Sequence, residues 1–143
     1  MKKILALAAA LAIVVSAAAN DRPVRIDQLP VKAQKFIKEY FADHQVSYAK
    51  YDNELSDQNY DVVFTDGTNI EFNRRGEWRH ISCKRGASVP TELLPQSIVG
   101  YLRQNHPDTN VVEVERDRHE WELQLAGGLE LVFDKRGHLK HYD

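Results

Sequence analysis

The chain has 143 residues, with 19 Lys and Arg against 21 Asp and Glu and a formal net charge of −2. That near balance, with the signs interspersed, excludes the basic stripe that a nucleic-acid binder needs, and no run of like charge marks a disordered tail. A single cysteine, Cys83, excludes an internal disulfide, so the hydrophobic core alone must hold the fold.

The chain opens MKKILALAAALAIVVSAAAN. Lys2 and Lys3 form a positive start, Ile4 to Val15 an uncharged apolar stretch too short to span a bilayer comfortably, and Ala17, Ala18 and Ala19 satisfy the small-residue rule of signal peptidase. Cleavage is expected before Asn20. Residues 1–19 are then a signal peptide and 20–143 a single domain, periplasmic or secreted, with no membrane span after cleavage. Loss of Lys2 and Lys3 leaves 17 basic against 21 acidic residues, a mature charge of −4.

Leu29-Pro30 opens a helical pattern. Leu29, Ala33, Phe36, Ile37, Tyr40 and Phe41 recur near the 3.6-residue period, with Lys32, Lys35, Lys38 and Glu39 between them. Pro30 suits the first helical position, where its missing N–H costs nothing. A polar stretch, NELSDQ at 53–58, is expected to be a loop. Residues 60–64 alternate as a strand with one covered face. TDGT at 65–68 and NRRGE at 73–77 are turns, the second with a glycine where positive φ is often needed.

Leu94-Pro95 then starts the same grammar again. Ile98, Tyr101 and Leu102 form a second stripe, and Pro107 ends that helix near Asn105 or His106. Residues 120–125 and 129–133 alternate as strands, joined by AGG at 126–128, and DKRGH at 134–138 repeats the turn at 73–77. Leu29-Pro30 matches Leu94-Pro95 at an offset of 65, and Phe72 and Gly76 match Phe133 and Gly137 at 61. The four-residue difference falls near 53–58, as a surface loop tolerates. The expected architecture is α+β, a tandem repeat of one helix plus about four antiparallel strands, with repeats at about 27–83 and 91–143. One such unit buries little apolar area; two side by side make a workable core. The expected inward residues include Phe36, Ile37, Tyr60, Val62, Phe64, Ile70, Phe72, Trp78, Ile98, Leu102, Trp121, Leu123, Leu125, Leu129, Leu131 and Phe133.

Leu94-Pro95, Leu102, His106-Pro107, Val114-Glu115, Trp121-Glu122, Gly127, Leu131, Phe133-Asp134 and Gly137 carry a resemblance. The chain resembles the PepSY-like, β-lactamase-inhibitor-like family of exported Bacteroidetes-type proteins. The first copy shows the pattern more loosely, with Phe41-Ala42 in place of the aromatic-proline pair and Asn73 in place of Asp134. The resemblance covers nearly all of the mature chain. It implies helices on one face of a shared antiparallel sheet, a periplasmic or surface location, and no established activity. Its motif residues are core and turn positions, and a fold does not by itself imply a function.

The usual enzyme signatures are missing: G-x-S-x-G, C-x-x-C, the P-loop and H-E-x-x-H do not occur. His80 and Cys83 are three apart, which on a strand places them on opposite faces. Glu113 with Glu115, and Glu120 with Glu122, share strand faces, but they alternate with apolar residues as the wet side of an amphipathic sheet does. His138 and His141 are too few for zinc, which takes three or four convergent ligands. No catalytic residue, metal site or cofactor is therefore expected. The expected function is an exported, non-enzymatic binding or inhibitory module acting through the open acidic face of its sheet. Its binding residues are Asp61, Glu71, Glu120, Glu122, Glu130 and Asp134, and its partner is a protein or peptide with a basic surface. The alternative is a periplasmic small-ligand or metal-sensing protein with its site at the seam between repeats.

Overall fold

The computed structural model describes residues 21–54, 57–84 and 86–143. The expected signal peptide lies outside the described residues. The elements in chain order are β1 (Asp21–Val24), a 3-10 turn (Ile26–Gln28), α1 (Val31–Tyr40), β2 (Val46–Glu54), β3 (Asp57–Phe64), β4 (Asn69–Asn73) and β5 (Trp78–Ser82). A second 3-10 turn (Thr91–Leu93) leads to α2 (Gln96–Asn105), β6 (Val111–Arg116), β7 (Glu120–Leu125), β8 (Glu130–Asp134) and β9 (Leu139–Tyr142). Among the described residues the nine strands form one antiparallel sheet in chain order, so the class is α+β.

Each helix is set by its proline. The Pro30 carbonyl accepts from the N–H groups of Ala33 and Gln34 at 3.0 and 3.1 Å, and the Pro95 carbonyl from Ile98 and Val99, both at 3.1 Å. The prolines are thus caps, one residue before the expected helical position, a difference within the ambiguity of any helix end. Burial follows the apolar stripe, Ala33 and Ile37 in α1 and Ile98, Val99 and Leu102 in α2. The N–H groups of Phe41 and His106 reach back to Ile37 and Leu102, each at 2.8 Å, and close the last turns.

Strand alternation builds the rest of the core. Val62, Ile70, Ile81, Val114, Leu123 and Leu131 stand opposite one another from strand to strand across β3 to β8. Each is at most 1% exposed, so this row is the centre of the buried face. One step along, Lys50, Asp61, Glu71, His80, Glu115, Glu122, Val132 and His141 form a row on the other face. Phe36 of α1 meets Phe72 edge-on at 5.6 Å and 83°, and Tyr101 of α2 meets Phe133 at 5.4 Å and 80°.

Turn chemistry fixes the hairpins. The Asn73 side-chain oxygen accepts from the N–H groups of Arg75 and Glu77 at 2.9 and 3.0 Å, and Asp134 accepts from Arg136 and His138 at the same distances. The following Gly76 and Gly137 each hold φ +85 with the opening turn of a helix against them.

Several expectations need correction. A ninth strand, β1, precedes α1 and pairs with β2; Pro23 lies in it, which an edge strand tolerates because it need not donate on its open side. The stretch at 53–58 is largely strand, with Asn53 opposite Gln58 and Glu54 opposite Asp57; residues 55–56 lie outside the described residues. The polar residues there belong to a long β2–β3 hairpin. Leu129 is 37% exposed, because it belongs to the turn before β8 rather than to the strand. Phe36, Tyr60 and Trp121 are only partly buried against the core, whereas Ile81, Val89, Val111 and Val114 are buried members outside the expected inward set.

Candidate functional site

The outward face of β6, β7 and β8 gathers carboxylates because alternation sends every second residue there. Glu113, Glu115, Glu122 and Glu130 line a depression of about 210 Å³ together with Gln124, Val132, His141 and Asp143. Register makes these groups neighbours, with Glu115 opposite Glu122 and Gln124 between Glu113 and Glu130. Burial, and then the charges of Glu115, Glu120 and Glu130, push the Glu122 carboxyl above its ordinary range. The His80 ring nitrogen lies 2.5 Å from a Glu113 oxygen and ties β5 to β6 on this face.

The six expected binding residues divide. Glu122 and Glu130 come together in the depression. Glu120 is held by Lys140 at 2.9 Å, at its outer margin. Asp134 serves its turn, and the backbone N–H groups of His138 and Arg136 hold its carboxyl below the usual range. Asp61 and Glu71 are opposite each other on β3 and β4, on the far side of β5 from the seam. Burial raises the Asp61 carboxyl against the pull of Lys50, whose Nζ lies 3.8 Å away. Glu113 and Glu115 are missing from the expected set although their i, i+2 spacing was readable; what the spacing does not tell is that β7 and β8 bring further glutamates beside them.

A second concavity lies where β5 meets β6, a junction joined by three register pairs. It holds about 690 Å³ between the turn after β4, β5 and the β6–β7 turn, and continues into about 310 Å³ beside α1. Its charged walls are Lys32, Lys35, Arg75, Arg79, Arg116 and Arg118 against Glu39, Glu77 and Asp117. Arg116 stacks on Trp78 at 3.8 Å from the ring centre, lies 5.6 Å from that of Trp121, and donates from Nε to the Trp78 carbonyl at 2.9 Å. The two indoles meet edge-on at 5.8 Å. No local sequence signal reveals this groove, because its walls come from α1, two turns and two strands. Its excess of cations disfavours a metal ion at the seam.

Cys83 is buried, and burial raises its thiol above the ordinary value, which suppresses the reactive thiolate. Among the described residues no group of three or more His, Cys, Asp or Glu side chains converges as metal ligands do. Nor, among those residues, is any helix long and apolar enough to cross a membrane.

A family model described as "Putative beta-lactamase-inhibitor-like, PepSY-like" matches residues 58–141. A solved structure from Bacteroides thetaiotaomicron, described as a "putative calcium-regulated periplasmic protein", is 37% identical, with a TM-score of 0.84 over 88% of this chain and 98% of that one. Two solved structures from Bacteroides vulgatus, each described as a "putative periplasmic protein", are each 38% identical. One has a TM-score of 0.83 over 88% of this chain, the other 0.81 over 86%, and both are covered over 98% of their own length. No curated protein matches. The chain, like these neighbours, is a periplasmic or secreted protein. With most of its length matched by the family model and by solved relatives, it belongs to the PepSY-like family.

Proposed function

We propose that this protein is a non-enzymatic binding module whose outward sheet face receives a cationic group of a protein or peptide partner. The observation that carries this reading is the carboxylate cluster of Glu113, Glu115, Glu122 and Glu130 around one depression. Glu122 is already pushed toward its neutral form there, so an approaching cation relieves a standing repulsion. Glu122 and Glu130 make the contact, and Asp61, Glu71, Glu120 and Asp134 supply the surrounding field.

A second reading is favoured by the Bacteroides thetaiotaomicron relative, described as calcium-regulated. Carboxylate oxygens suit calcium, and in this reading the face attracts the ion through its summed charge, since among the described residues no three side chains converge on one ligand site.

Calorimetry separates the two. The protein is titrated with a lysine-rich decapeptide at low and high salt, and separately with calcium chloride. The first reading expects peptide binding that weakens with salt and is lost when Glu122→Lys and Glu130→Lys are combined in a variant whose circular dichroism is unchanged. Peptide affinity unchanged in that variant overturns it. Calcium binding without peptide binding, lost in the same variant, selects the second reading.

We also propose that residues 1–19 are a signal peptide and that the domain is a duplicated unit, about 27–83 and 91–143, with both helices on one face of the sheet. The duplication is supported by the recurrence of helix, four strands, side-chain-capped turn and edge-on aromatic pair. N-terminal sequencing of exported protein that begins at Met1 would remove the signal peptide.

A further inference from the structure

Both tryptophans of the chain, Trp78 and Trp121, line the groove at the β5–β6 junction, and neither lines the glutamate depression. Trp78 is nearly covered, because the Arg116 guanidinium lies on its ring, whereas Trp121 beside it is only partly buried. Arg116 is itself half-buried, and among the described residues it forms no ion pair. Glu77 acts on it through space, with Arg79 opposing, but no carboxylate among the described residues touches it, so a half-buried guanidinium held by no direct ion pair gains from an anion that reaches it. Its Nε–H is already committed to the Trp78 carbonyl, which fixes the plane of the fork and leaves its terminal N–H groups for a planar or tetrahedral anion.

The other cations of the groove are spread rather than clustered. Lys32 and Lys35 stand on α1, Arg75 in the turn after β4, Arg79 on β5, and Arg118 in the β6–β7 turn. Among the described residues none of them forms an ion pair either. Of the nearby acids, Asp117 is occupied, since its side-chain oxygen accepts from the N–H groups of His119 and Glu120 at 2.6 and 2.9 Å. Several separated cations call for a ligand with several separated anionic groups. The two connected hollows, about 690 and 310 Å³ with Glu77, Trp78 and Arg116 in common, have room for a short chain.

A peptide chain is poorly served here. β5 and β6 are interior strands, each paired on both sides, so neither offers an edge to which a peptide could add. The larger hollow is lined mainly by polar side chains, and the smaller adds the Phe36 ring beside Trp78. A sugar ring, by contrast, presents an apolar C–H face to an indole and hydroxyls to arginine and asparagine side chains, both present in this groove. We propose that this groove binds an anionic oligosaccharide, with Arg116 taking a carboxylate or sulfate group and Trp121 stacking on the adjoining ring. The proposal is independent of the reading of the glutamate face.

Because the only tryptophans sit in the groove, intrinsic fluorescence reports its occupancy directly. The protein is titrated with a galacturonate hexamer, a heparin-derived hexasaccharide, maltohexaose and a hexaglutamate peptide. At least one acidic sugar is expected to bind and to change the emission, while maltohexaose and hexaglutamate bind at least about tenfold more weakly. Arg116→Met should weaken that binding by about tenfold or more. The paired surface change Arg79→Ser with Arg118→Ser, which leaves the stacked core intact, should weaken it and flatten its salt dependence. Glu122→Gln should leave it unchanged. The proposal is overturned if neither acidic sugar binds, if the folded arginine variants bind as the wild type does, or if hexaglutamate binds as tightly as the better sugar, since that result means general attraction of polyanions.

Discussion

Phe72 and Phe133 are both at 0% exposure, and each receives a helix aromatic edge-on. Phe72→Ala and Phe133→Ala are each expected to destabilise by about 3–5 kcal/mol, the loss of a large buried ring plus the cavity it leaves. Trp121→Ala should cost less than either, because its ring is only half-buried against Trp78 and Arg116. Denaturant midpoints for the three variants check the order. Trp121 shows what alternation alone cannot decide: the period-2 pattern assigns its face, but not that the ring stands at the rim of a groove. A second residue-scale prediction concerns Glu122. Its folded carboxyl titrates above the ordinary 4.5, so folding favours the neutral form. That stability is full below pH 4.5 and is lost as the pH rises through the raised value. Glu122→Gln should therefore raise the melting temperature by about 1–2 °C at neutral pH, and the gain should fade as the pH falls into the carboxylate range. A loss of melting temperature at neutral pH would show that the charge of Glu122 is stabilising where it stands.

At the scale of the elements, the turns carry the specification. A Cβ on Gly137 would come within 1.8 Å of the Ser97 hydroxyl oxygen, and one on Gly76 within 2.9 Å of both the Ala33 nitrogen and a Pro30 carbon. Both positions also hold φ +85. Gly76→Ala and Gly137→Ala are each expected to cost about 1–3 kcal/mol from backbone strain, measured by thermal unfolding; a neutral result would mean that the hairpin moves off the helix freely. Asn73→Ala, which strips the Arg75 and Glu77 N–H groups of their acceptor, should cost about 1–2 kcal/mol. These turns were legible in the sequence, because Asn or Asp three residues before Gly is itself the chemistry of the turn. So were the helices, from Leu-Pro and a 3.6-residue stripe. β1 was not, since Asp21–Val24 contains a proline and has no apolar alternation. The extended hairpin at 53–58 was not either, because NELSDQ is polar throughout and carries no period-2 alternation to distinguish a strand from a loop.

For the whole molecule, the row from Val62 to Leu131 crosses the β5–β6 junction through Ile81 and Val114 without a break. The core is therefore continuous across the two helix-and-strand groups, and a peptide of residues 91–143 is expected to be unfolded by circular dichroism at 25 °C. Fold class and the presence of an outward acidic face follow from periodicity in the sequence. Which glutamates meet does not, because Glu113, Glu115, Glu122 and Glu130 are brought together by register between β6, β7 and β8. The most direct test of the proposed function is an amide chemical-shift map of the protein titrated with the lysine-rich decapeptide. The account predicts salt-sensitive shifts centred on Glu113, Glu115, Glu122, Gln124, Glu130 and Val132. Shifts confined to the helices, or no shifts at low salt, would contradict it.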